Sequence, residues 1–163
     1  MKVVVADTGA IISLVHVGQL AIIERVLGDY FIAEAVWKEL NAYDNPGFDR
    51  GALKDIETKV VKIKSGNHLS MMMDFGESES VVLYDELHAD FLLIDDRRAR
   101  AIAESLGVKC LGSIGLMTMA KRTGAIVELR PIFQQWISTR RFFSKKLLNK
   151  VLSEVGEETF GEE

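Results

Sequence analysis

The sequence predicts an α/β fold built on a five-stranded parallel sheet. Three observations carry that reading: short apolar runs rich in β-branched residues, longer segments of helical period between them, and a length of 163 residues that suits one domain. The first strand is placed at residues 2–6, where three consecutive valines run into Asp7. Helical patterns at 10–15 and 19–27 lead to a second strand at 30–32. A helix at 35–40 carries Glu39, and another at 48–57 precedes a third strand at 59–63. The helix at 77–87 opens after Gly76, and the fourth strand, 91–94, ends in Asp95-Asp96. A helix at 97–106, a fifth strand at 109–111 and a helix at 114–123 complete the alternation. Beyond Pro131 two more helices, 132–137 and 145–155, lie outside it and suggest a lid, a docking surface or a dimer arm.

Composition narrows the class further. With 48% hydrophobic and 27% charged residues, a chain of this size buries roughly two-thirds of its unfolded surface and has no need of disulfides. The single cysteine, Cys110, cannot make an intramolecular disulfide or a cysteine-rich zinc cluster, and His16, His68 and His88 lack ligand spacing. No leader pattern occurs at the start, and charges interrupt every apolar segment before the roughly 18–20 residues a membrane helix needs. The expectation is therefore a cytoplasmic protein with no membrane span. Two prolines, no repeat and no low-complexity linker leave one domain: residues 1–130 as its body and 131–163 as a helical extension with an acidic tail.

The net charge of −4 is a tail effect. Residues 154–163 hold five glutamates and no base, whereas residues 121–150 hold eight bases and one acid, Glu128. That basic stretch suits either a solvated helix face or contact with nucleic-acid phosphates. Within it, Phe142-Phe143 beside Arg140-Arg141 suggests either base stacking or core packing, and Phe133 with Trp136, three residues apart, suggests a packed face. Met71-Met72-Met73 reads as an apolar loop or a dimer contact.

The acids carry the chemistry. In an open parallel sheet ligands bind beyond the carboxyl ends of the strands, so Asp7 and the pair Asp95-Asp96 stand where a site would form. Each also suits a helix N-cap, and Glu39, Glu77 and Glu79 suit exposed or first-turn helix positions. With the first strand central and next to the fourth, all of these places project onto one face. Carboxylates gathered there repel unless a hard cation lies among them, which points to Mg²⁺ or Mn²⁺ and to phosphodiester hydrolysis.

Four motifs in order then resemble the PIN-domain ribonucleases, including VapC-like toxin nucleases and an uncharacterised group related to them. Val5-Ala6-Asp7-Thr8-Gly9 is similar to the first motif, Val36-Trp37-Lys38-Glu39-Leu40 to the second and Gly76-Glu77-Ser78-Glu79-Ser80 to the third. Ile94-Asp95-Asp96-Arg97 is similar to the fourth, and the likeness covers about residues 2–125. The resemblance implies a three-layer α/β/α fold in which Asp7, Glu39, Glu77 and Asp96 bind the metal, with Thr8 as an auxiliary hydroxyl. Asp95 competes with Asp96, and Glu79 with Glu77; the latter two, two positions apart on a helix, point about 200° apart. Arg97, Arg98 and Arg100 are secondary candidates for substrate phosphate or for surface ion pairs. The implied substrate is single-stranded RNA. The implied partners are a second copy of the chain and, for a toxin, an antitoxin, with an apolar groove near residues 19–27 and the C-terminal helices as the expected docking place. The Glu form of the third motif and Ile94 depart from the usual toxin pattern.

Other acid-dependent α/β folds fit less well. A receiver domain needs an acidic pair after the first strand, and a haloacid-dehalogenase-type phosphatase needs a second Asp two residues beyond Asp7. Nucleophile-elbow, Walker A and dinucleotide-binding glycine patterns do not occur. The alternative from a different class is a PIN-like module that binds RNA or protein without cleaving.

Overall fold

The computed structural model describes residues 2–139 and 143–161. Five strands, β1 (Lys2–Ala6), β2 (Gly28–Ala33), β3 (Val60–Val61), β4 (Phe91–Leu93) and β5 (Cys110–Leu111), form one sheet in the order β3-β2-β1-β4-β5. Every pairing among them is parallel. Val4 and Val5 of β1 are fully buried although successive strand residues point to opposite faces, so the sheet is covered on both sides and the architecture is α/β/α. The central place of β1 follows from its sequence: three valines in a row suit a strand with no solvent face. Gly28 lets β2 close on it. At its φ of 153° a Cβ would be driven into the Lys2 backbone, 2.9 Å from the carbonyl carbon.

The crossovers are helical, as right-handed parallel connections require. They comprise α1 (Thr8–His16), α2 (Ile22–Val26), α3 (Glu34–Ala42), a short 3₁₀ turn (Arg50–Ala52) running into α4 (Leu53–Glu57), α5 (Phe75–Glu86), α6 (Arg97–Ser105) and α7 (Ser113–Arg122). Two differences from the sequence expectation have local causes. The helix expected over 19–27 begins only at Ile22, because Gly18 at φ 64° ends α1 and the chain turns before restarting. The strand expected over 59–63 shrinks to two residues because the backbone N–H groups of Lys64 and Ser65 bond the Glu86 carboxylate instead of extending the ladder. Within residues 19–27, Ile22 and Ile23 are buried in the chain's own core. Of the three consecutive methionines, Met73 is buried and Met71 and Met72 are exposed.

The extension is part of that core. In α8 (Arg130–Ser138), Phe133 and Trp136 stack with ring centroids 5.6 Å apart, and the Trp136 indole N–H donates to the Ser13 carbonyl at 2.8 Å. The packed-face reading of these two aromatics therefore holds. The stretch after Pro131 is keyed to α1 by a buried hydrogen bond as well as by apolar area. Helix α9 (Lys145–Glu154) buries Leu148, Val151 and Leu152 as one stripe. The tail after it is docked too: the Glu157 carboxylate accepts from the backbone N–H groups of Leu129 and Arg130 at 2.9 Å and pairs with Lys121 at 3.2 Å. Arg140, Arg141 and Phe142, on which part of the base-stacking expectation falls, lie outside the described residues. Among the described residues no helix is long and apolar enough to cross a membrane.

Candidate active site

Sheet register brings the acids together. Ala6 pairs with Leu93, and the Asp7 N–H donates to the Leu93 carbonyl at 2.8 Å, so the ends of β1 and β4 leave the sheet side by side. A cavity of about 850 Å³ opens beyond these ends. Asp7, Thr8, Glu39, Glu77, Asp95 and Asp96 all line it, together with Asp74, Arg97 and Arg100. The crevice outside the carboxyl ends of the strands is where an open α/β sheet places its ligand.

Asp7 is the anchor. It is 4% exposed, its Oδ1 accepts from the Ser80 hydroxyl at 3.3 Å, and burial together with Glu77 and Glu39 pushes its pKa up to about 7. A carboxyl so deep in the protein resists ionisation, because the charged form has lost its water and faces like charge. The Ser80 hydroxyl also donates to the Gly76 carbonyl at 2.7 Å, tying Asp7 to the first turn of α5. Glu39 reaches the same cavity from α3 and accepts a hydrogen bond from the Thr8 hydroxyl. Its path runs past Gly76, where a Cβ would stand 2.7 Å from Oε2. The glycine of the third motif therefore makes room for the glutamate of the second.

The competing acids separate by their partners. Glu77 lies in a capping box with Asp74, its Oε2 accepting from the Asp74 N–H at 3.4 Å, and faces the cavity. Its carboxyl is pushed up by burial, then by Asp96 and Asp74, with Glu39 contributing. Glu79 points elsewhere: its Oε1 accepts from the Ala35 N–H at 3.2 Å, at the start of α3. Asp95 lines the cavity, but both its oxygens are engaged. Oδ1 takes the Ser113 N–H at 2.7 Å, and Oδ2 takes the hydroxyls of Ser113 at 2.7 Å and Ser13 at 2.9 Å. That arrangement ties β4 to α7 and α1. Asp96 is exposed and caps α6 through Oδ1, which accepts from the Ala99 N–H at 2.8 Å.

The three arginines also divide. Arg97 and Arg100 line the cavity, Arg100 pairing with Glu104 at 3.4 Å, whereas Arg98 faces a neighbouring pocket beside Met71 and Met72. Sequence reasoning missed Gly76, Ser80 and the serines that hold Asp95. It also missed Ile114, Ser144 and Leu147 in the far wall of the cavity, which Phe143, singled out in the sequence for base stacking or core packing, lines with them. The Gly-x-x-x-Ser spacing of residues 76–80 was the available signal for the first two, since positions four apart share a helix face.

The donor set is oxygen-only, and burial together with like charge from neighbouring carboxyls raises the pKa of Asp7 and Glu77, a setting that suits a hard divalent cation. Among the described residues no three His, Cys, Asp or Glu side chains stand close enough together, as they lie, to hold an ion. No curated protein and no solved structure matches the chain. A family model described as a PIN domain matches residues 3–157, and so runs through the extension and well past the end of the motif likeness at about residue 125. Matched over nearly all of its length and carrying the five-stranded parallel sheet with acids at its carboxyl edge, the chain belongs to the PIN-domain family.

Proposed function

We propose that the chain is a metal-dependent endoribonuclease that hydrolyses phosphodiester bonds of single-stranded RNA in the carboxylate cavity. The carrying observation is Asp7: a buried carboxyl with its pKa at about 7, facing the same cavity as Glu39, Glu77 and Asp96. A buried carboxyl whose pKa is raised by burial and by neighbouring carboxyls, facing a cleft, favours a functional role over a structural one.

Each residue has a part. Asp7 is fixed by Ser80, Glu39 by the Thr8 hydroxyl, Glu77 by the Asp74 N–H, and Asp96 by the Ala99 N–H through Oδ1. These four would hold Mg²⁺ or Mn²⁺. Such an ion, when bound, neutralises the carboxylates, polarises the phosphodiester and makes a water nucleophilic at neutral pH. Arg97 and Arg100 set positive charge at the cavity to receive the phosphate. Asp95 holds the scaffold and Glu79 the start of α3, so neither is assigned to the metal.

The test is cleavage of labelled single-stranded RNAs by wild type and Asp7→Asn, with Mg²⁺, Mn²⁺ and EDTA in parallel. Metal-dependent cleavage that the variant loses is the expected result. Cleavage that survives in Asp7→Asn would overturn the assignment, and failure of the wild type to cleave any strand would favour the non-cleaving binding module. The finer assignment, a toxin paired with an antitoxin and acting as a cytoplasmic homodimer, predicts growth arrest on expression that Asp7→Asn relieves.

A further inference from the structure

The cavity has two chemically different ends. One is the carboxylate group; the other is an apolar wall of Ile114 from α7, Phe143 from the segment before α9 and Leu147 from α9. A site for a cation and a phosphate alone has no use for such a wall. Leu147 is placed there by helix geometry: the buried stripe of α9 is Leu148, Val151 and Leu152, and a residue one position before that stripe is turned about 100° away from it. It is 41% exposed, so its contacts with the chain's own core are incomplete. Phe143 is held differently. Its ring lies 4.6 Å from that of Trp136, tilted 46°, and Trp136 is itself fully buried and hydrogen-bonded to Ser13. The wall is thus one rigid aromatic and two aliphatic side chains, with Arg97 and Arg100 lining the same cavity.

We infer that this wall seats an unpaired nucleobase of the strand whose phosphate lies at the carboxylate end, making the C-terminal extension a determinant of substrate choice. The inference rests on the nuclease reading. A volume of about 850 Å³ is in the range of pockets that enclose a small ligand, and a flat apolar ring joined to a phosphate is an occupant that satisfies both ends at once. A base in a duplex is stacked on both faces and paired along its edge, so only an unpaired one can lie against the wall. Apolar and aromatic contacts also tolerate any base, because every base has a π-face.

The experiment measures binding by fluorescence anisotropy to the full-length Asp7→Asn chain, in which cleavage is blocked. The probes are a short oligouridylate, the matching abasic ribose-phosphate chain and a duplex of the same length. Leu147→Ala weakens oligouridylate binding by about tenfold and Leu147→Phe restores it, while binding of the abasic chain is unchanged by either. Thermal melting of both variants checks the fold, which Leu147 supports little because it stands outside the buried stripe. Oligouridylate binding that is indifferent to Leu147→Ala, or abasic and base-bearing strands weakened alike, overturns the inference. Cleavage by the wild type separates the two readings. If it cleaves and Leu147→Ala binds normally, the wall fails alone. If it does not cleave but Leu147→Ala loses affinity, the nuclease fails alone.

Discussion

Replacing Asp7 by Asn should stabilise the protein when no divalent cation is present, and only above acidic pH. The Asp7 carboxyl is 4% exposed, and burial beside Glu77 and Glu39 moves its pKa from 3.8 to about 7. The folded value lies above the unfolded one, so between these pH values the folded chain keeps a proton that the unfolded chain has released. Stability from this group is therefore complete below about pH 4 and is lost as pH rises towards 7. At about 1.36 kcal/mol per pH unit, that window bounds the loss at roughly 4 kcal/mol. Asn carries no charge to bury and retains an oxygen to accept the Ser80 hydroxyl. In a chain of this size the bound corresponds to a melting temperature about 8–16 °C higher for Asp7→Asn at pH 8 in EDTA, with little difference at pH 4. Calorimetric melting across pH 4–8 reads this directly. Added Mg²⁺ should close the gap by stabilising the wild type and not the variant, since a ligand that binds only the folded state raises its stability by mass action. A variant no more stable than wild type at pH 8, or a difference that does not vary with pH, would refute the assignment of an uncompensated charge to Asp7.

Three further outcomes follow from the contacts around the cavity. Gly76→Ala should lose RNA cleavage by tenfold or more at unchanged or slightly higher melting temperature, because Ala is about 1 kcal/mol better in a helix yet its Cβ displaces the Glu39 carboxylate; a fully active variant would show that Glu39 need not lie there. Glu77→Gln should abolish cleavage while Glu79→Gln keeps most of it, since Glu79 serves the Ala35 N–H and the amide oxygen can accept that bond; equal losses in a kinetic comparison would contradict the separation of their roles. Asp95→Ala should destabilise the fold by about 2–4 kcal/mol in urea denaturation, because it removes the acceptor of the Ser113 N–H and hydroxyl and one of the two acceptors beside the Ser13 hydroxyl, which keeps the Gly9 carbonyl. A stable but inactive Asp95→Ala protein would instead make Asp95 a functional group.

Much of the architecture is local in origin and was legible before any coordinates. Three valines ending in an acid state a buried central strand, and the alternation that follows states a parallel sheet whose carboxyl edge gathers Asp7, Glu39, Glu77 and the Asp95-Asp96 pair. Strand ends were less legible: whether residues 62–64 continue β3 is decided by Glu86, more than twenty residues along the chain, which takes the free N–H groups. How the extension packs was less legible as well: amphipathic spacing in 132–137 shows that Phe133 and Trp136 share a face, without showing that the face closes on α1.

What the sequence by itself determined is which residue types follow which strands, and so which acids share one sheet edge. What only the tertiary structure decided is which of each pair of neighbouring acids has its oxygens taken by partners distant in the chain. Asp95 and Asp96 are equivalent as letters, as are Glu77 and Glu79. Their roles diverge because Ser13, Ser113 and Ala35, brought from 82, 18 and 44 residues away, claim the oxygens of one member of each pair. Hydrogen-bond partners at such separations are set by how the helices pack on the sheet, and no local pattern encodes that.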